Sequence, residues 1–213
     1  MKHRGPDSSG EWTSPNGRCW LGSTRLAIVD LSPTGAQPMI DSANGNVIVS
    51  NHEIYNHLAL REQLGANVAW KGTSDTETLL QGYGHWHHGV LDRIKGMFAF
   101  AIYDHARQEL FVARDRLGIK PLYYTMDSQG VRFASEVKVL VGAAESITPE
   151  SISAYLQWGA CPERKLLYSE IHVLPAGYAM TIGPQGQSNT WKYWPSRKAF
   201  VSSIDQVVRQ VRG

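Results

Sequence analysis

The stretch 97-MFAFAIYDHARQELFVARDRLGIKPLYYTMDSQGVRFA-134 decides the fold class. It holds four short apolar or alternating runs, Met97 to Tyr103, Leu110 to Ala113, Leu122 to Thr125 and Val131 to Ala134. Such runs read as strands. The segments between them are short, and Asp127-Ser128-Gln129-Gly130 is a turn signal. Parallel strands need crossovers of a dozen or more residues, so these strands pair antiparallel. Working outward, Arg18 to Leu21, Leu26 to Val29 and Val47 to Val49 also read as strands. Further turns are expected at Pro15-Asn16-Gly17, Asn44-Gly45-Asn46 and Pro184-Gln185-Gly186.

Three segments have helical character. Tyr55 to Leu64 carries Leu58, Leu60 and Leu64 and stops at Gly65. Ser74-Asp75-Thr76-Glu77 has the form of a capping box opening a helix toward Trp86. Thr148-Pro149 opens the third, with Ile152, Tyr155 and Leu156 as a one-sided apolar face running toward Trp158. Strand pairs with helices between and around them predict an α+β, layered αββα architecture in one domain. From Ser196 to Gly213 the pattern changes, with Ile204, Val207, Val208 and Val211 at helical spacing. Two readings fit: the first helix of a neighbouring domain, or a terminal helix docked on this one.

Of the 213 residues 42% are apolar and 19% charged, with a formal charge of +2, which excludes a disordered chain and leaves no nucleic-acid footprint. Two distant cysteines, Cys19 and Cys161, make no disulfide framework and suggest a reducing, cytoplasmic setting. No run of 18 apolar residues is present, so no membrane helix is expected.

The tempting chemistries fail on geometry. His52 and His57 are five apart, which sets them about 140° from alignment on a helix, so the His-Glu-x-x-His zinc pattern does not apply. His85, His87 and His88 read as solvated surface, and no metal site is expected. Neither cysteine has a nucleophile motif around it, and no Gly-x-Ser-x-Gly elbow or phosphate-binding loop occurs. What remains is a set of polar clusters at strand ends, where a rigid sheet can fix a ligand site.

Those clusters are His3-Arg4-Gly5-Pro6-Asp7, Arg25 to Asp30, Gln37-Pro38, Asn51-His52-Glu53-Ile54-Tyr55-Asn56, Ser74 to Glu77, Gly96 to Ala101, Ala113 to Tyr124 and Ala134-Ser135-Glu136. In order and spacing they resemble the glutaminase domain, a class II glutamine amidotransferase, of glutamine-hydrolysing asparagine synthetases. The Pro6-Asp7 form of the first motif resembles asparagine synthetase more than its sister amidotransferases.

The resemblance implies the N-terminal-nucleophile fold, two antiparallel sheets between helices. It implies glutamine as substrate and an N-terminal Cys, followed by Gly and Ile in a central strand, as nucleophile. Ammonia would pass to a synthetase domain that activates aspartate with ATP and magnesium, while the glutaminase domain needs no cofactor. By position, Arg25 matches the residue holding the glutamine α-carboxylate, for which a planar guanidinium is suited. Glu53 and Asp75 match the groups around the α-ammonium, Val29 a backbone contact, and Asn51 with the next backbone N–H the oxyanion hole.

Two departures stand out. No Cys-Gly-Ile precedes His3. The chain is therefore expected to be truncated at both ends, with 1–195 as the amidotransferase domain lacking its N-terminal strand and 196–213 as a linker and first helix toward a missing synthetase domain. It is expected to be inactive alone, and the bared sheet edge to invite pairing into a homo-oligomer. His52 stands where the family has Gly, so strain at positive φ and a crowded oxyanion hole are expected. Two alternatives stay open: a degenerate glutamine-binding or structural module, and an amidotransferase for another acceptor.

Overall fold

The computed structural model describes residues 2–28, 30–66, 68–143, 147–159 and 168–194. A six-stranded antiparallel sheet forms its centre. Its members are β3 (Met39–Ile40), β4 (Val47–Ile54), β5 (Gly96–Asp104), β6 (Glu109–Arg114), β10 (Tyr178–Ile182) and β11 (Ser188–Lys192), in the order β11-β10-β6-β5-β4-β3. Two smaller sheets accompany it. β1 (Ser8–Thr13) pairs with β2 (Trp20–Arg25), and β7 (Tyr123–Asp127) lies between β8 (Gly130–Ala134) and β9 (His172–Val173).

Strand alternation divides the core into two layers. Ile48 of β4 and Phe98, Phe100 and Ile102 of β5 face the helices α1 (His57–Leu64), α2 (Asp75–Trp86) and α3 (Val90–Arg93), packing with Leu60, Leu79, Tyr83 and Leu91. Val47, Val49, Ala99, Ala101 and Tyr103 face the other way, packing with Leu21, Leu122 and Leu174 from the smaller-sheet side. The layered α+β expectation therefore holds.

At element level several expectations change. Leu26 to Val29 is not a strand: Leu26 and Ala27 lie outside any element and Ile28 is a bend, while Val29 lies outside the described residues. Local side-chain bonds displace the ladder there, since the Ala27 N–H donates to Asp7 Oδ2 (2.8 Å) and Asp30 Oδ1 accepts from the Ser32 N–H (2.9 Å) and hydroxyl (2.6 Å). The strand expected at Arg18 to Leu21 begins at Trp20 and runs to Arg25 instead. β4 continues past Val49 through Ile54, in register with β5, which places Asn51, His52 and Glu53 inside a strand. Gly96 makes that close approach possible: its φ is +156°, and a Cβ there would sit 2.0 Å from the Glu53 carbonyl oxygen.

The capping box at α2 is half present. Ser74 Oγ accepts from the Glu77 N–H (3.2 Å), but the buried Glu77 carboxylate turns instead to the N–H groups of Lys71 (2.7 Å) and Gly72 (3.0 Å). The helix α4 (Pro149–Trp158) forms with Thr148 as its cap. Its expected apolar face does not pack, however: Ile152, Tyr155, Leu156 and Trp158 are exposed and Ser151 and Ala154 are the buried residues. Cys161 and the helix-spaced segment from Ser196 lie outside the described residues.

Candidate functional site

One cavity of about 870 Å³ is bordered by the ends of β2, β4 and β8 and the start of α2. Arg25, Asn51, His52, Glu53 and Asp75 all line it. Residues up to 50 positions apart in sequence are thus gathered at one place, with only Val29 outside the described residues.

Arg25 closes β2. Its guanidinium donates to the backbone carbonyls of Asp30 and of Ser32 (3.0 Å for the latter), and it forms no ion pair with a carboxylate among the described residues. The fork is therefore positioned by neutral acceptors with no carboxylate bound to it among the described residues, which suits capture of an anion. Gly35 lets the guanidinium lie close to the chain, because a Cβ there would lie 2.3 Å from Arg25 Nη2 and push the fork aside. The Asp30 carboxylate fastens the loop from the other side, accepting from Ser32, from the Thr34 hydroxyl (3.0 Å) and from the Thr73 N–H (3.1 Å). The Ser32 hydroxyl and N–H, acting before the opposing effect of burial, hold the Asp30 carboxyl well below the usual carboxylate range.

Asn51 and Glu53 follow Val47 and Val49 in the alternation of β4 and so share their face. Neither side chain has a hydrogen bond or ion pair among the described residues, leaving an amide and a carboxylate available at the cavity. His52 takes the opposite face. Its side chain is 2% exposed, with Nε2 3.3 Å from Asp75 Oδ2 and 3.5 Å from the Thr76 hydroxyl, while Nδ1 is buried with no partner. The strain expected at His52 is absent, because positive φ among non-glycine residues occurs only at His87 and Gln108 within the described residues. Extended strand geometry accommodates the imidazole and aims it at α2.

Asp75 is the junction of this region. Besides His52 it accepts from the Ile54 N–H (2.9 Å). Burial pushes its carboxyl up, but the bonds from His52 and Ile54 and the charges of His52 and His57 together outweigh burial and hold it below its ordinary value. Gln37, to which the sequence assigned no role, ties the two elements together. Its Oε1 accepts from the Ser50 N–H (2.6 Å) and its Nε2 donates to Thr76 Oγ1 (3.4 Å). The Gln37-Pro38 pair beside a strand start was the only signal for it.

The long cluster Ala113 to Tyr124 proves chiefly architectural. Asp115 accepts from the N–H groups of Phe98, Leu117, Ile119 and Lys120 at 2.9 to 3.2 Å. Arg114 donates to the carbonyls of Gly118, Lys120 and Leu174 at 2.7 to 2.9 Å. Lys120 and Leu122 alone of the cluster border the cavity. Cys19 does not border it, and burial pushes its thiol up to about 11.

Residues 1–194 match the sequence profile of the glutamine amidotransferase domain, and the chain belongs to that family. It is 36% identical over 214 residues to asparagine synthetase (glutamine-hydrolysing) 1 of Bacillus subtilis, covering 99% of this chain and 33% of the relative. It is 40% identical over 169 residues to asparagine synthetase B of Escherichia coli, covering 79% and 30%. The amidase chry2 of Gibberella zeae is 34% identical over 220 residues, covering 100% and 32%. The chain thus spans about a third of the length of these relatives. Among solved structures, the glutamine phosphoribosylpyrophosphate amidotransferase of B. subtilis superposes with a TM-score of 0.56 at 22% identity, covering 81% of this chain and 34% of that one. That likeness shows the fold, an α+β amidotransferase domain of the N-terminal-nucleophile type. No helix among the described residues is long and apolar enough to cross a membrane.

Proposed function

We propose that the cavity binds glutamine and that the chain serves as the glutamine-handling domain of an asparagine synthetase-like protein. The observation that carries this reading is the convergence of the Arg25 guanidinium, in no ion pair among the described residues, with the carboxylates Glu53 and Asp75 and the amide of Asn51 around one cavity. An amino-acid zwitterion needs one cation for its carboxylate and acceptors for its ammonium, and the amide of Asn51 suits a developing oxyanion. The parent reaction is glutamine-dependent amidation of aspartate, with ATP and magnesium used by a synthetase domain, in keeping with the names of the bacterial relatives. Residues 196–213 lead toward that domain in this reading.

The described residues bring no thiol into the cavity, and the Cys19 thiol stays protonated near neutral pH. In this reading the chain by itself binds glutamine, and none of the described residues supplies the thiol that hydrolysis requires. Calorimetric titration with glutamine, run beside an ammonia-release assay, tests the reading. Binding with no ammonia release is the expected outcome. Absence of binding would replace it with the second reading, a degenerate module, which the His52–Asp75 contact favours by engaging a carboxylate that the ammonium requires.

A further inference from the structure

A second cavity, of about 280 Å³, lies between β3 with the turn that follows it, residues 68–71 and α2. None of Arg25, Asn51, Glu53 or Asp75 borders it. Two buried carboxylates do, and they differ in how they are met. That of Glu77 accepts from the N–H groups of Lys71 (2.7 Å) and Gly72 (3.0 Å) and from the Arg61 guanidinium (3.3 Å). Asp41 is 4% exposed, and its Oδ1 accepts from the Ala43 N–H (2.9 Å), but its Oδ2 is buried with no hydrogen-bond partner among the described residues. The backbone on both sides of that carboxylate is pinned, since the Asp41 N–H donates to the Asn46 carbonyl (2.9 Å) and the Asp41 carbonyl accepts from the Gly45 N–H (2.8 Å). Oδ2 therefore stays aimed toward α2, where a Cβ at Gly84 would lie 3.9 Å from it. A buried carboxylate oxygen without a donor is costly, and an ammonium group meets that need.

The rest of the lining sorts by depth. Met39, Val68 and Leu80 give apolar walls, and Lys71 is exposed at the mouth, its ammonium in no ion pair or hydrogen bond among the described residues. A buried anion, an apolar wall and a cation at the rim form a sequence that a zwitterion with separated charges matches. We propose that this second cavity binds a small unbranched amino acid of that kind, its ammonium on Asp41 Oδ2, its methylene chain along Met39, Val68 and Leu80, and its carboxylate at Lys71. An apolar cavity of about 150 Å³ holds benzene, so the space here takes a molecule of about ten heavy atoms. The site adjoins the loop that holds Arg25, because Thr34 borders it and the Thr34 hydroxyl donates to Asp30 Oδ2 (3.0 Å). An occupant therefore braces that loop from behind.

The probes are 6-aminohexanoate, hexanoate, which lacks the ammonium, and pentylamine, which lacks the carboxylate, each titrated by calorimetry into the whole 213-residue chain. Binding of 6-aminohexanoate in the millimolar range or tighter is expected, with each truncated probe weaker by about tenfold or more. Asp41→Asn keeps an acceptor for the Ala43 N–H and should weaken 6-aminohexanoate by about tenfold or more. Ala69→Phe, at an exposed position of the lining, should block the cavity with Asp41 intact, so a folding defect in the first variant does not decide the result. Amide hydrogen exchange is expected to slow across 41–46 and across the loop 32–36 and to stay unchanged in β10. No binding in the millimolar range, binding of hexanoate equal to that of 6-aminohexanoate, or binding that either variant leaves unchanged overturns the proposal. These readouts need no glutamine, so the second site and the glutamine reading can fail separately.

Discussion

His52 Nε2 lies 3.3 Å from Asp75 Oδ2, with both side chains almost fully buried at the edge of the cavity. The pair joins β4 to the first residue of α2 and engages the carboxylate that the family resemblance assigns to a substrate ammonium. A ligand ammonium must share Asp75 with the imidazole or displace it. In the proposed reading His52 bears on glutamine through Asp75, because its own backbone lies in an extended strand without positive φ.

Replacing His52 with glycine removes that competitor while leaving the Ile54 N–H on Asp75. Glutamine affinity is expected to rise by about tenfold, equivalent to about 1.4 kcal/mol. Folding stability is expected to fall by about 1–3 kcal/mol, because a buried partner and its packing are lost and glycine weakens a strand. Calorimetry and urea unfolding on one preparation check both signs. Unchanged affinity would show that Asp75 does not meet the ligand.

The Asp75 carboxyl is held below its ordinary value although burial, the largest single effect, pushes it up. The unfolded chain then binds more protons at acid pH. Asp75 stabilises the fold fully above the ordinary carboxyl range, about pH 4, and this contribution is lost as pH falls through the folded value. The gap in unfolding midpoint between the parent chain and Asp75→Asn should narrow from pH 7 toward pH 3. A gap independent of pH would remove Asp75 from the acid dependence.

Much of this site was legible because strand alternation and helix caps are local. Ser74 declared the start of α2, and the run Met97 to Tyr103 declared β5. The failures are equally physical. Leu26 to Val29 looks like a strand by composition, but Asp7, 20 positions away, captures the Ala27 N–H, and Asp30 turns the chain just after it by accepting from the Ser32 N–H. β1 and β11 are rich in Ser, Gly, Thr and Asn, so apolar patterning did not reveal them. The engagement of Asp75 by His52 required the register of β4 against α2, which no local pattern encodes.

Arg25 offers the sharpest test of ligand polarity. Arg25→Ala should weaken glutamine binding by about 10- to 100-fold, the range of one charge-assisted bond to a charged group. Arg25→Lys should recover only part of it, because an ammonium cannot present the parallel fork. Equal binding by all three proteins would mean that the carboxylate is held elsewhere.

Asp115 should be structural in effect. Asp115→Ala leaves the N–H groups of Phe98, Leu117, Ile119 and Lys120 without their acceptor. A loss of about 3 kcal/mol or more is expected in urea unfolding, since buried unmet donors cost about 1–3 kcal/mol each and water reaches some of them. A loss below about 1 kcal/mol would show that the loop from 115 to 120 is held by the Arg114 carbonyl fork alone.

Cys19 precedes β2, and its N–H donates to Ser14 Oγ (2.9 Å) while its carbonyl accepts from the Ser14 N–H (2.8 Å). With burial pushing its thiol up to about 11, only about one molecule in ten thousand carries the thiolate at pH 7. Alkylation by iodoacetamide in a Cys161→Ser background should therefore run roughly 300-fold slower than for an ordinary thiol of pKa about 8.5. Added glutamine should not change that rate, because Cys19 does not border the cavity. Fast alkylation that glutamine suppresses would instead make Cys19 part of the site and reopen hydrolysis by this chain.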